Sequence, residues 1–159
     1  MEALKQPHKN SNMKILILTL LAIALAVPAF AKPLDVNYGT LEVPDDFVFT
    51  KTGTMDSFRG TLVRKSDNFT ITFDIGKMAG TAMTESKKAT CTYFRRHRIG
   101  AFSATTGIET ISGKSQITTT FDYDSKTERA PANFWATISK DTDIADFLLI
   151  IGSYQPKTK

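Results

Sequence analysis

Cys91 is the only thiol in the chain, and His97 is the only imidazole beyond the N-terminal leader described below. Together they are the one pair that could form a nucleophile and its base. Such a pair works when the ring nitrogen lies within hydrogen-bond reach of the sulfur. The residues between them, Thr92-Tyr93-Phe94-Arg95-Arg96, favour extended geometry and predict a strand over Cys91–Ile99. At about 3.3 Å of rise per residue, the six steps from Cys91 to His97 set the two α-carbons roughly 20 Å apart, so the spacing predicts no catalytic dyad. Cys91 is read instead as a small buried apolar side chain, with no second cysteine for a disulfide within the chain.

Arg95-Arg96-His97-Arg98 is the densest positive charge. Guanidinium forks match phosphate, sulfate and carboxylate groups, which makes these four residues the candidate anion-binding site. Strand alternation sends Arg95 and His97 to one face and Arg96 and Arg98 to the other. The patch therefore converges only at an exposed edge or a hairpin tip. The competing reading is an edge strand that uses charge to repel other edges.

Carboxylates supply the remaining chemistry. Asp122 and Asp124 share one strand phase, Asp74 falls in another strand, and Asp141, Asp143 and Asp146 crowd a predicted helix start. Two such groups about 5–9 Å apart in a cleft can hydrolyse glycosidic bonds, and they leave no local signature in a sequence. The aspartates lack the glycine and terminal glutamate of a calcium loop, and helix capping and solvated turns account for them. Gly76-Lys77-Met78-Ala79-Gly80 lacks the closing Gly-Lys-Ser/Thr of a phosphate loop, and no Gly-x-Ser-x-Gly elbow occurs. One histidine and one cysteine cannot assemble a zinc site. No metal and no cofactor is expected.

The elements that must position these groups are mostly strands. Phe58–Arg64 and Phe69 to Ile75 flank the polar Lys65-Ser66-Asp67-Asn68 and predict a hairpin. In its second arm Phe69, Ile71, Phe73 and Ile75 alternate with Thr70, Thr72 and Asp74. Thr40 to Val43, Phe47 to Thr50, Gln116 to Tyr123 and Asn133 to Ser139 are further strand candidates. Lys32 to Gly39 and Ala101 to Gly107 read as surface loop, and Thr81 to Thr90 is too polar to assign. Asp141 or Thr142 can cap a short helix near 141–147, and Phe147 to Ile151 reads as a final strand buried on both faces. The fold class is mainly β, with α+β as the alternative: a single antiparallel sheet or small sandwich of about six strands, the short C-terminal helix preceding the last strand.

The first apolar block is an address. Lys14, the apolar run Ile15 to Val27, Pro28 and Ala29-Phe30-Ala31 form a signal peptide over residues 13–31, cleaved after Ala31. Residues 1–12 are a polar extension, and residues 32–159 form one mature domain. The thirteen-residue apolar run is shorter than the roughly twenty residues that span a bilayer, so no transmembrane anchor is expected in the mature chain. The leader holds three of the 20 basic and one of the 16 acidic residues, so its removal lowers the net charge from +4 to +2. That excess is too small for a nucleic-acid partner.

No constellation names a reaction. The sequence predicts a secreted or periplasmic domain acting as a non-enzymatic binding or interaction module, its aromatic-rich sheet faces suited to a partner or an apolar ligand. The expected partner is an anionic surface or another envelope protein. The alternatives are a carboxylate-based hydrolase and a binder of anionic lipid or polysaccharide through Arg95, Arg96 and Arg98.

Overall fold

Alternation in the sequence becomes sidedness in the sheet. The computed structural model describes residues 31–53, 56–126 and 128–157. The predicted leader lies outside the described residues except for Ala31, which opens the first strand. Strands β3 (Phe47–Gly53), β4 (Phe58–Arg64), β5 (Thr70–Ile75), β6 (Cys91–Ile99), β7 (Phe102–Ile111), β8 (Lys114–Phe121) and β9 (Ala132–Ile138) form one antiparallel sheet in the order β3-β4-β5-β9-β8-β7-β6. A second sheet joins β1 (Ala31–Asp35), β2 (Gly39–Pro44) and β10 (Gln155–Pro156), with β2 in the middle. Helix α1 (Asp141–Gly152) connects β9 to β10.

The predicted hairpin is present as β4 and β5, with Leu62 opposite Ile71 and Gly60 opposite Phe73. These pairs continue across β9 and β8, where Ile71 faces Ala136 and Ala136 faces Ile117. From β4 through β5 and β9 to Ile117 of β8, one face of the large sheet is therefore apolar. It is covered by α1 and by the small sheet, whose Leu41 and Val43 join Phe73, Phe134, Phe147, Ile150 and Ile151 in one core. Gly60 makes room for a ladder of rings: Phe49, Phe58 and Phe73 stack with centroids 6.0–6.2 Å apart, and a β-carbon on Gly60 would come within 2.6 Å of Phe49 and Phe73.

Three segments depart from expectation. Phe147 to Ile151 is not the final strand: α1 runs through it to Gly152, and the last strand is Gln155–Pro156. Only Phe147, Ile150 and Ile151 of the five are buried, while Leu148 and Leu149 face solvent, which is helical periodicity. The β-branched residues cost the helix only tenths of a kcal/mol each, roughly 0.5, whereas the core rewards the buried stripe. The cap also differs, since Lys140 takes the N-cap position. Asp143 in the first turn reaches back to accept from the N–H groups of Ser139 and Lys140 at 2.9 and 3.1 Å.

Ala101 to Gly107 belongs almost wholly to β7, because Gly100 (φ +57°) allows a tight turn and β7 is then paired on both sides. Its small residues look like loop only when the neighbouring ladders are ignored. Of Lys32 to Gly39, expected to wrap the surface, the first four residues belong to strand β1 (Ala31–Asp35).

The connection from β5 to β6 has consequences for function. Because β9, β8 and β7 lie between those strands, residues 76–90 must cross them on the face opposite the core. Asn133 pins this strap. Its amide nitrogen donates to Ala79 O and Gly80 O at 3.0 and 3.3 Å, and its Oδ1 accepts from Ala82 N at 2.9 Å. Met83 N donates to Thr120 Oγ1 at 3.0 Å, and the Met83 side chain fills the space above Gly107. Residues 81–90, too polar to assign from sequence, end this strap with a 3-10 turn over Glu85–Thr90.

Candidate functional site

The strap covers only part of the outer face. Beyond it, the polar phase of β5, β9 and β8 forms the floor of an open groove of about 620 Å³. Register places Thr72, Trp135 and Thr118 in one cross-strand row, with Gln116 opposite Thr137 in the next. Trp135, the only tryptophan in the chain, lies half-buried in this floor. Its neighbours in the wall are Thr70, Thr72, Gln116 and Thr137. Hydroxyls and an amide that both donate and accept therefore surround a large, partly exposed ring.

One end of the groove is closed by an ion-pair network. Arg64, 5% exposed, leaves the end of β4 and donates from Nε and Nη2 to the two oxygens of Asp67, both at 2.8 Å. Nη2 also donates to Asp143 Oδ1 at 2.5 Å, and Nη1 donates to Asp146. Lys140 Nζ reaches Asp67 Oδ2 at 2.5 Å, and the guanidinium lies 4.7 Å from the Phe69 ring centroid. The network joins the β4–β5 turn to the first turn of α1.

Hydrogen bonds from Arg64, then from Lys140, hold the Asp67 carboxyl well below the usual range. Burial pushes Asp143 upward, but the Ser139 N–H, Arg64 and the Lys140 N–H together outweigh it, and its pKa is also lowered. Both acids are therefore ionised at neutral pH. They share one guanidinium nitrogen in a concave site, the proximity that glycoside hydrolysis uses, yet neither holds the proton that a general acid must give.

The residues singled out by sequence are dispersed. Arg95, Arg96, His97 and Arg98 lie on β6, an edge of the large sheet, where register splits them between faces: Arg95 opposes Thr106, Arg96 opposes Thr105 and Arg98 opposes Ser103. Arg98 Nη2 donates to Ala101 O at 2.8 Å. His97 Nε2 is 2.8 Å from Thr106 Oγ1, which contacts Thr119 Oγ1 at 2.8 Å in the sheet interior. Burial, then the nearby Arg95, lowers the His97 pKa. Arg96 and His97 share a small pocket of about 180 Å³ with Ser103, Ala104 and Asp122.

Cys91 Sγ turns toward Met83 Sδ at 3.9 Å, and burial followed by Glu109 raises its pKa, so the thiol keeps its proton. Asp74 pairs with Arg59 at 3.0 Å. Asp122 follows β8, two strands and two residues away, which puts the α-carbons of Asp74 and Asp122 about 12 Å apart. Asp124 forms a backbone bridge with Arg129. Among the described residues no group of three or more His, Cys, Asp or Glu side chains could hold a metal ion, and no helix is long and apolar enough to cross a membrane.

The aromatic-rich face expected to take a ligand is occupied by α1 and the small sheet, and the open face is polar. Trp135 and its threonine neighbours are not among the residues that sequence reasoning singles out. A signal is nevertheless present: between Phe134 and Ala136, Trp135 occupies the phase that should face water. The chain matches no protein-family model and no curated protein.

Proposed function

We propose that this protein is an exported, non-enzymatic binding module that holds an extended ligand in the groove floored by Trp135. The observation that carries the reading is the exposure of the chain's one tryptophan on an uncovered, hydroxyl-rich sheet face, framed by an ion-pair network that fixes the groove wall. Amphipathic rings of this kind are enriched where proteins meet partners, because they bury large area at low entropic cost. The ionised state of Asp67 and Asp143 favours binding over hydrolysis. The separation of the β6 arginines onto two faces favours the groove over an anionic surface. Export rests on the leader at residues 13–31.

Because Trp135 is the only tryptophan, its emission reports on this groove alone. Titration with soluble polysaccharides, extended peptides and anionic vesicles is expected to give a saturable emission change with one of the three classes. Co-sedimentation with anionic vesicles without a change in Trp135 emission, lost in high salt and on Arg95→Ala/Arg96→Ala/Arg98→Ala substitution, would move the function to β6. No response from any class would remove the groove as the binding site.

A further inference from the structure

We infer that the groove, taken as the ligand surface proposed above, holds a neutral glycan built of flat, equatorially linked pyranose rings, a β-1,4-linked hexose chain being the simplest case. Its first support is the mixture of surfaces. A pyranose of this type has C–H bonds on its faces and hydroxyls around its rim. The electron-rich face of an indole attracts the former, while Thr70, Thr72, Thr137 and the Gln116 amide can exchange hydrogen bonds with the latter.

Charge is the second support. The titratable groups lining the groove are Asp67, Lys140 and Asp143, and all three are already paired with one another or with Arg64. An anionic or cationic ligand finds no uncommitted counter-charge: it would have to open the partly exposed Lys140–Asp67 pair or break the buried Arg64–Asp143 pair. A neutral ligand meets no such obstacle.

The backbone supplies the third. Along the floor, β5, β9 and β8 are each hydrogen-bonded to a strand on both sides. A peptide docking on this face would find its own N–H and C=O groups opposite no unpaired backbone, in contrast to an edge-strand site. Sugar hydroxyls need only side-chain partners. The floor is also broad, since three strands at about 4.8 Å spacing span roughly 10 Å.

The test is isothermal titration of the mature protein with cellohexaose, chitohexaose, maltohexaose, a heparin hexasaccharide and an extended decapeptide. Saturable binding of cellohexaose or chitohexaose is expected, with maltohexaose, whose axial linkages curl the chain, about tenfold weaker. Trp135→Ala should weaken binding at least about tenfold, while Trp135→Phe, which keeps an aromatic face, should lose less. Thr72→Arg should block the groove while leaving the Trp135 floor in place, and it tests the same surface if Trp135→Ala does not fold. Reducing ends should not increase on prolonged incubation.

Absence of binding by both cellohexaose and chitohexaose at millimolar concentration, or binding unchanged in folded Trp135→Ala and Thr72→Arg proteins, would overturn the inference. If the decapeptide or the heparin fragment alone perturbs Trp135 emission, the glycan class fails and the groove stands. If no probe does, both fail.

Discussion

Replacing Arg64 by Met should destabilise the protein severely, and the way it does so tests how the groove wall is held. The methionine keeps most of the aliphatic stem but removes the guanidinium, and with it the cation over the Phe69 ring and the donors to Asp67, Asp143 and Asp146. Removing one partner from a buried ion pair costs about 3–5 kcal/mol. Asp143, with a side chain 3% exposed, is the carboxylate that would be stranded, but it keeps two backbone N–H donors. Asp67 and Asp146 are about a third exposed and can rehydrate. The lower end applies, about 3 kcal/mol, or a fall in Tm of about 10 °C for a domain of this size.

The pH dependence follows from the direction of the shifts. Asp67 and Asp143 have folded pKa values below their unfolded ones, so their contribution is complete above the unfolded carboxylate value, about 4. It is lost as the pH falls from there through the folded values. Without Arg64 the folded values rise, and acid unfolding should begin at higher pH. Thermal melts followed by far-UV circular dichroism and by Trp135 emission, repeated from pH 7 downward, measure both effects. Arg64→Met/Asp143→Asn should recover about 1–2 kcal/mol, because the stranded charge is gone. A Tm loss below about 3 °C, or an unchanged acid limb with no recovery in the double variant, would refute the reasoning.

Other substitutions probe the remaining elements. Ile150→Ala should cost about 2–5 kcal/mol in chemical denaturation, whereas Leu148→Ala and Leu149→Ala should stay within about 0.5 kcal/mol; a strand buried on both faces would penalise all three. Gly60→Ala, which drives a methyl into two phenyl rings, should cost about 1–3 kcal/mol in the same assay. Gly107→Ala meets chiefly the flexible end of Met83, so its expected signature is faster proteolysis within residues 76–90 with a smaller loss of Tm. His97 has a lowered folded pKa, so wild-type protein should lose stability as the pH falls below about 6.5, and His97→Gln should lack that component in pH-dependent melts.

What can be read directly from the chain are the features in which a residue's fate depends on near neighbours. The β4–β5 hairpin is legible because apolar alternation and a four-residue polar turn specify it locally. The strands read at Gln116 to Tyr123 and Asn133 to Ser139 are legible from the same alternation, although they end earlier, at Phe121 and Ile138, and the strand at Cys91–Ile99 is legible from its β-favouring residue types. The first turn of α1 is announced by its aspartates, and the dispersal of Arg95, Arg96 and Arg98 follows from a period of two. Ala101 to Gly107 resembles a loop because its small residues acquire strand geometry only between β6 and β8.

Residue type and spacing thus determined which side of each strand is apolar, and so the composition of the core. Tertiary structure decided what those sides meet. Whether Phe147 to Ile151 would coil or extend depended on which of its side chains the sheet could bury. Whether the polar face would stay open depended on the strand order, which carries residues 76–90 over Asn133 and Thr120 and leaves Trp135 uncovered. Arg64 could not be told from any other arginine at a strand end until Asp67, Asp143 and Asp146 were brought around it from two other elements. A groove is made of distant segments, and electrostatic pairing and burial act through space, so neither is written in the order of residues along the chain.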